Sequence, residues 1–142
     1  MKFYIVDAFT SEPFGGNPAG VVLLDKDFPS EALMQQVAAE LRYSETAFVR
    51  HDGPSTFTVR YFTPCGEVDL CGHATIATFG VLRETGIVTE GEVCLNHTLA
   101  GDLEVRPGTQ VMMQMATPTL LPTAVDAERL HRVMGVSEKI WL

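Results

Sequence analysis

The segment Cys71 to Thr85, "CGHATIATFGVLRET", constrains the fold more than any other. It has helical spacing, yet Ala74, Ile76, Ala77, Phe79, Val81 and Leu82 are apolar almost all round, and charge arrives only with Arg83 and Glu84. A surface helix shows one apolar stripe, whereas a helix apolar on every side has to be enclosed. The segment is therefore expected in the middle of the fold, with Gly86 as its stop signal.

The rest of the chain supplies strands and one further clear helix. Lys2 to Phe9 is rich in β-branched and aromatic residues and reads as a strand. Thr10 to Gly20, "TSEPFGGNPAG", is dense in Gly and Pro and reads as a loop. Val21 to Asp25 is a second, buried strand. Ser30 is a candidate N-cap for a helix in which Leu33, Met34, Val37, Ala38 and Leu41 share one face. Glu45 to His51 and Thr56 to Phe62 form a hairpin across "HDGPS", and "TPCGEV" reads as a turn. Two strands joined at Ala100-Gly101-Asp102 follow, and Gln110 to Ala116 is the last strand. Beyond it, Thr117 to Thr123 is a Pro-rich connector, and Val125, Leu130, Val133 and Met134 mark a short amphipathic helix.

Length and composition limit the function classes. The 142 residues suit one compact domain over 1–117, with 118–142 as a linker and short helix leading towards a second domain. A net charge of −8, with ten scattered basic residues, repels phosphate backbones and argues against nucleic acid as a partner. No apolar run approaches the roughly 20 residues of a membrane span. The N-terminal run is broken by Asp7 and reads as a strand rather than a signal peptide, so a cytoplasmic location is expected. Three cysteines without an export signal read as reduced thiols. Cys65, Cys71 and His73 lack paired C-x-x-C spacing, and only Cys94 and His97 add to them, so no metal site is expected.

The chemistry concentrates at the start of the enclosed helix. Its first turn offers unpaired N–H groups and a positive dipole end, so a carboxylate can dock on the backbone from Gly72 through His73 and Ala74 to Thr75. The same dipole lowers the pKa of a cysteine at position 71. The alternative is a buried Cys beside a Gly chosen for close packing. His73 reads either as a hydrogen-bonded core histidine or as a proton shuttle. Glu45, leading into Thr46-Ala47-Phe48, reads either as an exposed strand end or as a carboxylate whose pKa burial raises towards acid/base work. "FGGNPAG" matches neither the dinucleotide nor the phosphate-loop pattern, and Asn17 within it offers both donor and acceptor. Glu67 and Asp69 read as solvated or capping acids.

Three motifs in this order, "DAFTSEPFGGNPAGVVLL", "YSETAFV" and "RYFTPCGEVDLCGHATIAT", strongly resemble the PhzF-like isomerases of phenazine biosynthesis, relatives of diaminopimelate epimerase and proline racemase. The resemblance implies an α+β fold of two similar halves, each a mixed or antiparallel sheet wrapped around a central helix, with the active site between halves. This chain would be the N-terminal half, and Cys71 to Thr85 its central helix. Carried over by motif, Glu45 is the general acid/base, Gly72 and His73 contact substrate, and Asn17 lies in a loop lining the cleft. Cys71 stands where epimerase relatives carry a catalytic cysteine. The implied reaction is cofactor-free proton transfer on a small carboxylate substrate, in a homodimer. The family's second acidic group and second helix start have no counterpart after Thr117, so the chain is expected to be truncated and inactive alone. The competing expectation is a non-catalytic half-domain that binds a ligand or self-assembles through its exposed cleft face.

Overall fold

A computed structural model of the chain describes residues 1–115, 117–118 and 126–135. Its elements run β1 (Lys2–Ala8), β2 (Asn17–Leu23), α1 (Glu31–Leu41), β3 (Thr46–Gly53), β4 (Thr56–Phe62), β5 (Glu67–Val68), α2 (Gly72–Glu84), β6 (Cys94–Thr98), β7 (Gly101–Arg106), β8 (Met112–Met113) and α3 (Ala127–Met134). The strands make one mixed sheet in the order β1-β2-β3-β4-β6-β7-β8, with β5 appended to β4. β2 pairs with β3 in parallel, as does β4 with β6, and the remaining pairs are antiparallel.

Strand alternation divides the sheet into two faces. Val21, Ala47, Val49, Val59 and Tyr61 pack in the cluster that encloses α2, where Ala74, Ala77, Phe79 and Leu82 lie at or below 1% exposure. Their neighbours Val22, Phe48 and Phe62 point the other way, onto Met34 and Ala38 of α1. Phe57 and Phe79 meet edge to face at 5.7 Å between sheet and α2. The sheet curls as a half-barrel around α2, so the enclosed helix expected from the apolar pattern is found in place. The curl stays open: a groove of about 820 Å³ is floored by Ile76, Ala77 and Gly80 of α2 and flanked by residues of β1 and β8.

Local differences from the sequence reading have physical causes. β2 starts at Asn17, inside the expected loop, and Asn17 pairs with Ala8. The Gly and Pro content hid this start. Pro18 is tolerated because the pairing with β3 begins only at Gly20, so no ladder bond from residue 18 is missing on that side. Gly16 fits because a Cβ there would stand 2.2 Å from the Ala8 carbonyl oxygen. Part of "TPCGEV" is strand, since Glu67 and Val68 pair with β4. Glu67 is not solvated: only 15% of its side chain is exposed, and it holds Arg60 at 2.5 Å. The last strand is confined to Met112–Met113. Ala116, the connector from 119 to 123, and Val125 lie outside the described residues. No described helix is long and apolar enough to cross a membrane.

Candidate active site

The hairpin β3–β4 and helix α2 bring the candidate residues together. Gly20 of β2 donates its N–H to the Glu45 carbonyl at 3.1 Å, which fixes the residue just before β3. Cys71 is the N-cap of α2 in an extended conformation, and His73 lies in the first turn. Between these segments, His73 Nε2 stands 3.4 Å from Glu45 Oε2, with 10% and 20% of the two side chains exposed. Cys71 Sγ stands 3.1 Å from His73 Nδ1. Thiol and carboxylate approach different ring nitrogens, and the carboxylate also reaches the thiol itself, so the three groups form one compact cluster. Each of the three can hold a proton, so the cluster suits proton transfer among them.

The thiol departs from the expectation. A helix start was expected to lower its pKa, and it is pushed up to about 11. Burial is the main cause, and the Glu45 carboxylate adds to it, while N–H groups of Ala74 and His73 pull the other way. Only 8% of Cys71 is exposed. At neutral pH the sulfur therefore keeps its hydrogen, with His73 Nδ1 and the Glu45 carboxylate both in reach. The Ser44 hydroxyl lies 3.2 Å from His73 Nε2, the nitrogen that also faces Glu45. Sequence reasoning missed Ser44. Its only signal was adjacency to Glu45, because its partner is 29 positions away.

Among the expected substrate contacts, the structure separates outward from inward groups. Gly72 and His73 are partly exposed, whereas Ala74 and Thr75 are fully buried. The Thr75 N–H and hydroxyl both donate to the Cys71 carbonyl, at 3.0 and 2.7 Å, which leaves neither free for a ligand. Asn17 is exposed at the start of β2, and among the described residues no hydrogen bond joins it to Glu45, Cys71 or His73. The other candidate metal donors lie elsewhere. Cys65 is exposed on a turn, Cys94 is buried in β6, and His97 is held by Asp102 at 2.6 Å. Instead Glu45 joins Cys71 and His73, with ligand atoms of all three within 4.8 Å of one another.

A profile described as "Phenazine biosynthesis-like protein" (PhzC-PhzF) matches residues 6–140. The chain belongs to this family. The resemblance carried by the three motifs is thereby borne out. The "Uncharacterized isomerase YddE" of Escherichia coli O157:H7 is 60% identical over 127 residues, covering 85% of this chain and 42% of that protein. A PhzF-family protein from Enterococcus faecalis superposes with a TM-score of 0.68 at 47% identity, over 73% of this chain and 39% of that one. The "Predicted Epimerase PA4716" of Pseudomonas aeruginosa superposes with a TM-score of 0.66 at 25% identity, over 73% of this chain and 37% of that one. The PhzC-PhzF chain described here spans less than half the length of the curated relatives it matches.

Proposed function

We propose that this chain forms one wall of a cofactor-free isomerase site acting on a small carboxylate substrate. The observation that carries the reading is the convergence of Glu45, His73 and Cys71 at the start of the enclosed helix. Glu45 takes a proton from a carbon next to, or conjugated with, the substrate carboxylate, and the proton returns to a carbon of the same molecule. His73 Nε2 exchanges a proton with Glu45 or with a substrate oxygen. The Cys71 thiol, protonated at neutral pH, is a proton donor within this cluster rather than a nucleophile. Gly72 leaves the backbone open for the substrate carboxylate, and Asn17 is assigned to the cleft lining by its motif alone. Proton transfer in a two-sided cleft needs groups on both walls. We assign the opposite wall to the part of the relatives that this chain does not cover, and the 142 residues alone are expected to turn over little substrate.

The test is solvent-deuterium incorporation into a panel of small carboxylates with acidic C–H bonds, followed by NMR. In a protein carrying both halves, Glu45→Gln is expected to lower incorporation by about 100-fold or more. Unchanged incorporation in Glu45→Gln sinks the assignment.

Assembly through an apolar surface is a second reading. Phe9 and Phe14, 72% and 95% exposed, flank the turn between β1 and β2 with φ of 65° and 64°. Non-glycine residues held in the left-handed region and presenting aromatic rings to water suit an interface. A homodimer formed there would sediment as a dimer and revert to monomer in Phe14→Ser. A monomer at high concentration counts against it.

A further inference from the structure

A buried polar chain runs through the core to the start of α2. Tyr61 of β4, Thr75 of α2 and Asn96 of β6 are each 0% exposed. Asn96 Nδ2 lies 3.1 Å from the Tyr61 hydroxyl oxygen, that oxygen 2.7 Å from Thr75 Oγ1, and Thr75 Oγ1 2.7 Å from the Cys71 carbonyl oxygen. The direction of every bond follows from counting hydrogens. A carbonyl only accepts, so the single Thr75 hydroxyl hydrogen goes to Cys71. Tyr61 must then donate to Thr75, and its oxygen accepts from the Asn96 amide. Burial raises the Tyr61 pKa, so the phenol keeps the hydrogen this direction requires.

The chain ends on the residue that carries the thiol. At the two other helix starts the N-cap side chain does the fixing: Ser30 Oγ accepts from Leu33 N–H, and Asp126 accepts from Arg129 N–H. Cys71 makes no such capping hydrogen bond, although the Ala74 and His73 N–H groups face its sulfur, which also stands beside His73 Nδ1. Something else has to hold the Cys71 peptide in its extended setting of φ −136° and ψ 116°. Its carbonyl receives two donors from Thr75, one from the backbone and one from the hydroxyl. The polar core also carries a penalty, since the Asn96 carbonyl oxygen is buried without a partner. Apolar residues of similar shape would fill the same space without that cost. Stability alone does not account for the trio.

We propose that Tyr61 is a positioning residue for Cys71, acting through the Thr75 hydroxyl on the Cys71 carbonyl and so aiming the thiol at His73. The importance of this for turnover rests on the proton-transfer reading above, but its test needs no substrate. Iodoacetamide alkylation of the 142-residue chain, followed peptide by peptide in mass spectrometry across pH 7–11, reports Cys71 and Cys94 separately. Cys94 is buried more fully, at 0% exposure against 8%, its thiol is likewise pushed up to about 11, and it has no histidine partner among the described residues, so it serves as the internal control.

Thr75→Val keeps the shape and removes the hydroxyl. It is expected to release the Cys71 thiol towards solvent and speed its alkylation at pH 8 by about tenfold, the gain in thiolate being partly offset by lower nucleophilicity. Cys94 is expected to stay unchanged. Thr75→Ser restores the wild-type rate and pH profile, and Tyr61→Phe shifts Cys71 in the same direction by a smaller factor. Equal acceleration of Cys71 and Cys94 would mean general loosening of the core and overturns the proposal, as does an unchanged Cys71. In the unsubstituted chain, the Tyr61 hydroxyl proton is expected to exchange slowly enough for direct NMR detection, and its absence overturns the bond order even if no variant folds. Failure of Glu45→Gln to alter deuterium incorporation would remove the catalytic reading and leave these thiol results standing.

Discussion

Helices α2 and α3 both follow from apolar residues at helical spacing, and they end in opposite surroundings. α2 buries seven of its residues, among them Ala74, Phe79 and Leu82. α3 buries none, and Val133 and Met134 are 78% and 58% exposed. α3 is the better capped, with the Asp126 side chain accepting from Arg129 N–H and Gly135 in the left-handed C-cap, whereas Cys71 gives α2 no side-chain capping bond. Caps therefore do not decide which helix is enclosed. What differs is the angular spread of apolar residues. Leu130, Val133 and Met134 form one stripe that needs a single partner surface, whereas α2 is apolar all round and is stable only inside a curled sheet. Local pattern makes a helix, and the width of the apolar face decides how much of the fold must surround it.

Substitutions sharpen this contrast. Phe79→Ala in α2 is expected to cost about 3–5 kcal/mol in denaturant unfolding, because the ring is fully buried against Phe57. A cost below about 1 kcal/mol would show that the enclosed helix is loosely packed. Alkaline pH tests the thiols around the same helix. Cys71 and Cys94 are pushed from 9.0 up to about 11 by burial, so folding favours their neutral form. Their contribution is complete below pH 9 and lost as pH climbs towards 11. Thermal melts are expected to fall over that window, and Cys94→Ala should flatten the decline.

Gly80→Ala is expected to stabilise by about 0.5–1 kcal/mol, since a Cβ there meets nothing within 4 Å and mid-helix glycine is entropically costly. Smallest of all, Val133→Ala with Met134→Ala in α3 should move stability by no more than about 0.5 kcal/mol. A larger loss would mean that α3 is covered in solution.

Much of this was legible in sequence, for reasons that differ by element. The buried position of α2 follows from Ile76 to Leu82 having no polar side. The start of β2 was hidden because Asn17, Pro18 and Gly20 carry loop composition, while their strand geometry comes from pairing with Asp7, Ala8 and Ile5. Glu45, Cys71 and His73 were singled out by motif, but their distances were not, and Ser44 was invisible because side-chain reach across β3 and α2 is a tertiary property. The pKa of Cys71 was misjudged for a similar reason. A helix start acts locally and can be read from order along the chain, but desolvation depends on everything packed around the sulfur.

The mixed pairing has a consequence for the order of assembly. β4 ends at Phe62 and its parallel neighbour β6 begins only at Cys94, with α2 on the connection between them. During synthesis β1 to β4 and α1 are available to pair before α2 emerges, while β6 to β8 follow it. For that interval α2 has a floor but no far flank. Distant pairing of this kind closes slowly, and exposed apolar surface invites aggregation while it does. The chain is therefore expected to be most dependent on chaperones after Glu84 has left the ribosome and before Met113 has. The helix that organises the finished structure is also its greatest hazard on the way there.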